Sequence, residues 1–85
     1  MIERIKELNP EAIIYEGFDK AIVGIDTREL RVIYDEDLMI ETLMKEMSYE
    51  EAIDYYEFNI ASTYLGDNTP IILRELHYTK GENID

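Results

Sequence analysis

Up to Asp35 the apolar residues stand in short runs between polar turns, and from Leu38 onward they recur every three or four positions. Ile40, Leu43, Met44 and Met47 fall at i, i+3, i+4 and i+7, which is one face of a helix. Ser48 then restarts the count. The run "SYEE" (48–51) is a capping box: the Ser48 hydroxyl accepts from the Glu51 amide, and the Glu51 carboxylate accepts from the Ser48 amide. A second helix is expected from about 49 to about 65, ended by Gly66 as a left-handed C-terminal residue.

The remaining segments follow from the same patterning. Ile2, Ile5 and Leu8 step by three before Asn9-Pro10, so a short helix stopped by the proline is expected. "EAIIYE" (11–16), "AIVGI" (21–25) and "LRVIYD" (30–35) read as strands. "EGFD" (16–19), with Gly17 at a positive φ, makes a hairpin of the first two, and the polar turn "DTRE" (26–29) precedes the third. "GDNTP" (66–70) is a turn, "IILRELHY" (71–78) a last strand, and "TKGENID" (79–85) a frayed tail. This order predicts a two-layer α+β fold: an antiparallel-rich sheet of about four strands with a helix pair packed on one face. Residues 1–85 form a single domain.

Composition narrows what such a domain can do. A chain of 85 residues holds one modest core and buries roughly 60–65% of its unfolded surface. Nine aromatics and 46% hydrophobic residues mark it as folded rather than as a disordered acidic chain. With no cysteine, disulfides and thiolate metal sites are excluded, which fits a reducing cytoplasm. The charged opening "MIERIKELNP" is no signal peptide, and no apolar run exceeds four residues, so no membrane span is expected. Twenty acids against eight bases give a net charge of −12. That surface repels nucleic-acid phosphates and anionic lipids and attracts basic surfaces.

The second helix carries more aromatics than one face can hold. At 100° per residue Ala52, Ile53, Tyr56, Asn59, Ile60 and Thr63 share the core face, and Phe58 lies about 200° from Tyr56 with Leu65 beside it. Phe58, Leu65 and Tyr55 therefore pack on the N-terminal helix or the tail, or else form an exposed apolar patch rimmed by Asp54 and Glu57. A homodimer or a foreign partner would satisfy the second arrangement. Asn59 on the core face needs hydrogen-bond partners, either in the "GDNTP" loop or a strand end, or in a ligand.

Catalytic constellations are weak. "DEDLMIETLMKE" (35–46) has the length of a calcium loop, but Met39 replaces a ligand and Ile40 stands where glycine must turn the chain. Asp35/Asp37 and Glu50/Glu51/Asp54 have spacings that occur by chance among twenty acids, and Asp37 is expected to cap the first long helix. His77, the single histidine, builds no multi-histidine metal site, and neither Ser48 nor Ser62 lies in a nucleophile-elbow sequence. No phosphate-binding glycine loop is present. The expectation is a non-enzymatic protein without metal or cofactor.

Charge is the strongest regional signal. Residues 35–57 hold nine acids and one base, Lys45, a local net of −8. Either this is an ordinary solvated helix face or it imitates a phosphate backbone and docks on a basic, nucleic-acid-binding protein. On the second reading Asp54, Tyr55, Glu57, Phe58, Glu50, Glu46 and Glu41 carry the contact. Lys20, Arg28, Arg31 and Arg74 lie on or beside strands. Were Arg31 and Arg74 neighbours, they could hold a small anion such as a nucleotide, with Asn59, Asn68 and Thr69 as further contacts.

The elements "FDKAIVGI", "YD", "EFN" and "GDNTP" resemble those of a group of small proteins encoded in phage, prophage and bacterial genomes, over about residues 10–73. The resemblance implies a phage or mobile-element setting, in which small acidic proteins inhibit host machinery or defence in the host cytoplasm. It singles out Asp19, Tyr34, Asp35, Glu57, Phe58, Asn59, Gly66, Asn68, Thr69 and Pro70 as a cluster at one end of the sheet, a site or a latch. It supplies no catalytic residues.

Overall fold

The computed structural model describes residues 1–76, so His77 and the tail at 79–85 lie outside the described residues. Helix α1 (Ile2–Leu8) is followed by a non-regular stretch and a single 3₁₀ turn at Asp19–Ala21. Strands β1 (Ile22–Ile25) and β2 (Val32–Asp35) come next. Helices α2 (Glu36–Leu43) and α3 (Tyr49–Tyr56), a π-turn (Glu57–Ala61) and strand β3 (Ile71–Leu73) complete the order. Among the described residues the fold is mixed α and β, with three α-helices and a small open sheet of order β1-β2-β3.

The sheet corrects the expectation of four antiparallel-rich strands. β1 and β2 are antiparallel, with Ile25 opposite Val32, but β2 and β3 run parallel, with Ile33 opposite Ile71. The connection from β2 to β3 carries two helices, and a parallel pair requires a crossover of that kind. "EAIIYE" forms no strand, because side chains take up its backbone groups. Asn9 Oδ1 accepts from the Glu11 amide at 3.1 Å, Lys6 Nζ donates to the Ala12 carbonyl at 2.6 Å, and the Tyr15 amide donates to Tyr34 Oη at 2.7 Å. Gly17 does adopt φ +90°, in the turn that leads to the 3₁₀ segment.

Within β1–β2 the register slips between Ile22 and Gly24, leaving Val23 unpaired as a bulge. The connecting turn closes through Asp26, whose carboxylate accepts from the Glu29 amide at 2.6 Å. Leu30 ends the turn at φ +60°, an unusual conformation for a leucine.

The core is built on β2. Val32 and Tyr34 alternate onto one face, both fully buried, and meet Met39 of α2 and Tyr56 and Ile60 of the α3 region. Ile5, Ala12, Ala21 and Ile22 close it from the N-terminal side. The Tyr34 ring lies 5.2 Å from that of Tyr15, tilted by 44°. α2 packs on β2, and α3 packs on α2.

Candidate functional site

Asp35, not Asp37, caps α2: its Oδ2 accepts from the Leu38 amide at 2.9 Å. The strand ends one residue before the helix begins, so Asp35 is the residue still in extended conformation, as an N-cap must be. Glu36 then points its carboxylate at two partners. Arg74 donates to it twice, at 2.7 and 3.0 Å, and the Tyr56 hydroxyl donates at 3.0 Å. The Arg74 guanidinium is the largest influence holding Glu36 below its ordinary carboxylate range, against the opposing effect of burial. Burial, followed by the bond to Glu36, pushes the Tyr56 phenol up. This knot ties β3, α2 and α3 together.

The capping box at Ser48 forms in both directions, at 3.2 Å and 3.0 Å. From Glu57 the helix widens into the π-turn, and this moves Asn59. A turn of about 4.4 residues advances each one by roughly 80°, against 100° in an α-helix, so the third residue past Tyr56 swings about 60° further from the core. Asn59 is accordingly exposed, and its side chain donates to the Tyr55 carbonyl at 3.1 Å rather than to the 66–70 loop or a strand end. Ser62 and Thr63 likewise donate to the carbonyls of Phe58 and Asn59. These back-bonds accompany the end of the helical segment at Ala61, short of the expected 65.

Tyr56 packs inward, as the helical wheel requires, while Phe58 is 82% exposed and Tyr55 44%. Phe58 stands in an open groove of about 420 Å³ shared with Asp54, Glu57 and Ser62. Asp54, Phe58 and Ser62 follow one another at steps of four, with Glu57 at the edge. Glu41, Glu46 and Glu50 are exposed on α2, the following turn and α3. Of the nine acids at 35–57, seven are exposed, while Asp35 is buried in its cap and Glu36 is half-buried in the Arg74 knot.

The two arginines do not meet. Continuing the β2–β3 register sets Arg31 level with Thr69 at one end of the sheet and Glu36 level with Arg74 at the other. Five residues along a strand is roughly 16 Å. Arg31 instead donates through Nε to the Thr69 carbonyl at 2.7 Å, and its Nη1 lies 3.3 Å from Glu29. Asn68 joins that end, accepting from Asn9 at 2.9 Å. Thr69 is buried, its hydroxyl donating to the Gly66 carbonyl and accepting from the Leu65 amide. The ten residues expected to cluster at one end of the sheet are therefore divided: Gly66, Asn68, Thr69 and Pro70 lie by the start of β2, Tyr34 and Asp35 at its end, Glu57–Asn59 on the π-turn and Asp19 in the 3₁₀ turn. Residues 35–46 form α2 and the turn after it, not a ligand loop. Among the described residues no three histidine, cysteine or acidic side chains converge as a metal site, and no helix is long and apolar enough to cross a membrane.

The sequence reading did not single out Ser62 as part of the groove, nor Glu36, Tyr64 and Asp67. Only Ser62 had a usable signal, its place four residues beyond Phe58. Comparison with family models, curated proteins and solved structures gave no match.

Proposed function

We propose that this chain is a small, acidic, non-enzymatic binding protein that docks the α3 and π-turn face on a basic surface of a host protein. The observation that carries the reading is Phe58. A phenylalanine 82% exposed between two carboxylates does nothing for the fold, and it is the sort of anchor that fills a pocket when a partner arrives. Glu50, Asp54 and Glu57 form an acidic stripe beside it at i, i+4 and i+7. Along the helix axis they stand about 6 and 4.5 Å apart, against one phosphate per about 3.4 Å of axis on one DNA strand, so the three carboxylates stand in for a few phosphates and not for a duplex. A groove evolved for nucleic acid would meet it with lysines and arginines and leave an apolar contact for Phe58. Self-association through this face would set the same carboxylates against one another across a two-fold axis, which favours a foreign basic partner over a second copy. With the resemblance to phage and prophage proteins as its support, the proposed setting of this contact is a bacterial cytoplasm.

Affinity capture from nuclease-treated bacterial lysate tests the proposal. One nucleic-acid-binding protein should be retained at low salt, released at high salt and lost with Phe58→Ala. Retention unaffected by Phe58→Ala, or no specific retention, would overturn it.

A further inference from the structure

A second cleft, of about 530 Å³, opens at the far end of the sheet from the Arg74 knot, lined by Glu29, Arg31, Tyr64, Gly66, Asp67 and Asn68. Its volume lies within the range of small-ligand sites. Its walls are held before any ligand arrives. The Asn9 amide bridges them, donating to the Leu30 carbonyl on one side at 3.0 Å and to Asn68 Oδ1 on the other at 2.9 Å. Arg31 and Thr69 make a second bridge, and the Thr69 hydroxyl fixes the turn from Leu65 to Gly66.

That scaffold leaves particular groups available. The Asn68 carbonyl oxygen is engaged by Asn9, so its NH₂ group is the end left to donate. Arg31 engages Nε and Nη1, and no described residue accepts from Nη2. Asp67 and the second oxygen of Glu29 are acceptors. Tyr64 is 77% exposed and makes no ring contact or hydrogen bond among the described residues. The cleft thus offers two donors, two carboxylates and a flat aromatic face. One arginine against two carboxylates makes its lining net negative in a chain already at −12. A phosphate would be repelled. An uncharged ring with adjacent hydroxyls meets every group: a carboxylate accepts from two neighbouring O–H groups, the amide and guanidinium donate to hydroxyl oxygens, and the ring's C–H face lies on the tyrosine.

We propose that this cleft binds the ring of an uncharged sugar, either a free saccharide or the ribose of a nucleoside. The site is independent of the Phe58 face. Amide chemical shifts of the full chain, titrated with methyl glucoside, adenosine and ATP, test the proposal. Saturable shifts at Tyr64, Asp67 and Asn68 are expected with the glucoside, with adenosine or with both, and the arm that responds identifies the source. ATP should bind at least about tenfold more weakly than adenosine because its phosphates meet Glu29 and Asp67. Tyr64→Ala and Asp67→Asn, both at exposed positions, should each abolish the shifts with the thermal midpoint unchanged, whereas Phe58→Ala should leave them intact. No saturation by either uncharged ligand, tighter binding of ATP, or unchanged binding by Tyr64→Ala would overturn the assignment.

Discussion

Two buried hydroxyls set the polar interior at the residue scale. Tyr34 Oη is the acceptor for the Tyr15 amide, so Tyr34→Phe should strand that N–H beside the core and cost about 1–2 kcal/mol, read as a lower denaturant midpoint with an unchanged slope. Tyr56→Phe should cost a similar amount, because its hydroxyl bonds an ionised carboxylate. The same residues determine how stability varies with pH. The folded state holds Glu36 below its ordinary 4.5, chiefly through Arg74, so below that value the unfolded chain binds the extra proton. The stability that Glu36 contributes is present above pH 4.5 and is lost as pH falls through its folded value, and Glu36→Gln should flatten that acid limb. Tyr15, Tyr34 and Tyr56 move the other way, raised first of all by burial above an ordinary 10.0. Their contribution is present below pH 10 and is lost as pH rises past it. Thermal melts across the pH range should show a plateau falling at both ends, with the alkaline fall delayed in Tyr34→Phe.

Caps and crossovers explain, at the scale of elements, what was legible in the sequence and what was not. The Ser48 box and the stop at Asn9-Pro10 depend on residues within four positions of each other, and each forms where its pattern stands, whereas Gly66 takes its positive φ in the turn beyond Ala61 and does not end the helix. Asp35 was misjudged by two positions because strand and helix abut with no loop between them, leaving no polar gap to mark the boundary. Asp35→Ala should therefore cost about 1 kcal/mol by loss of the cap, matched by Ser48→Ala on α3, both measured by chemical denaturation. "EAIIYE" has a strand's composition, but Asn9, Lys6 and Tyr34 bond its backbone from outside, and no local pattern shows that. The π-turn was hidden for a similar reason. Its wheel differs from an α-helix by only about 20° per residue, yet that suffices to carry Asn59 out of the core while Ile60 stays in it. The exposed patch at Phe58 was legible as one of two arrangements, because Phe58 stands only two residues into the π-turn and still faces away from Tyr56. Of the cleft at Tyr64 only Arg31 and Asn68 stood out in the sequence, and with the wrong neighbour in Arg74, because its walls come together only through the tertiary hydrogen bonds of Asn9 and Arg31.

For the whole molecule, charge and burial divide the labour. The N-terminal segment, β2 and the inner faces of the helices enclose the apolar core, whereas the outer faces of the helical segments after Asp35 carry seven carboxylates and Phe58. An ordinary solvated face needs the carboxylates but has no use for the phenylalanine. Phe58→Ala should consequently change the folding free energy by less than about 0.5 kcal/mol, within the range of surface substitutions, while removing the proposed partner contact. The most direct test is the equilibrium affinity of the retained host protein for wild type and for Phe58→Ala, each measured across a series of salt concentrations. Phe58→Ala is expected to bind about thirtyfold more weakly, the loss of an anchor of about 2 kcal/mol, with the salt dependence preserved because the acidic stripe is intact. Equal affinity of the two proteins, or binding indifferent to salt, would contradict it.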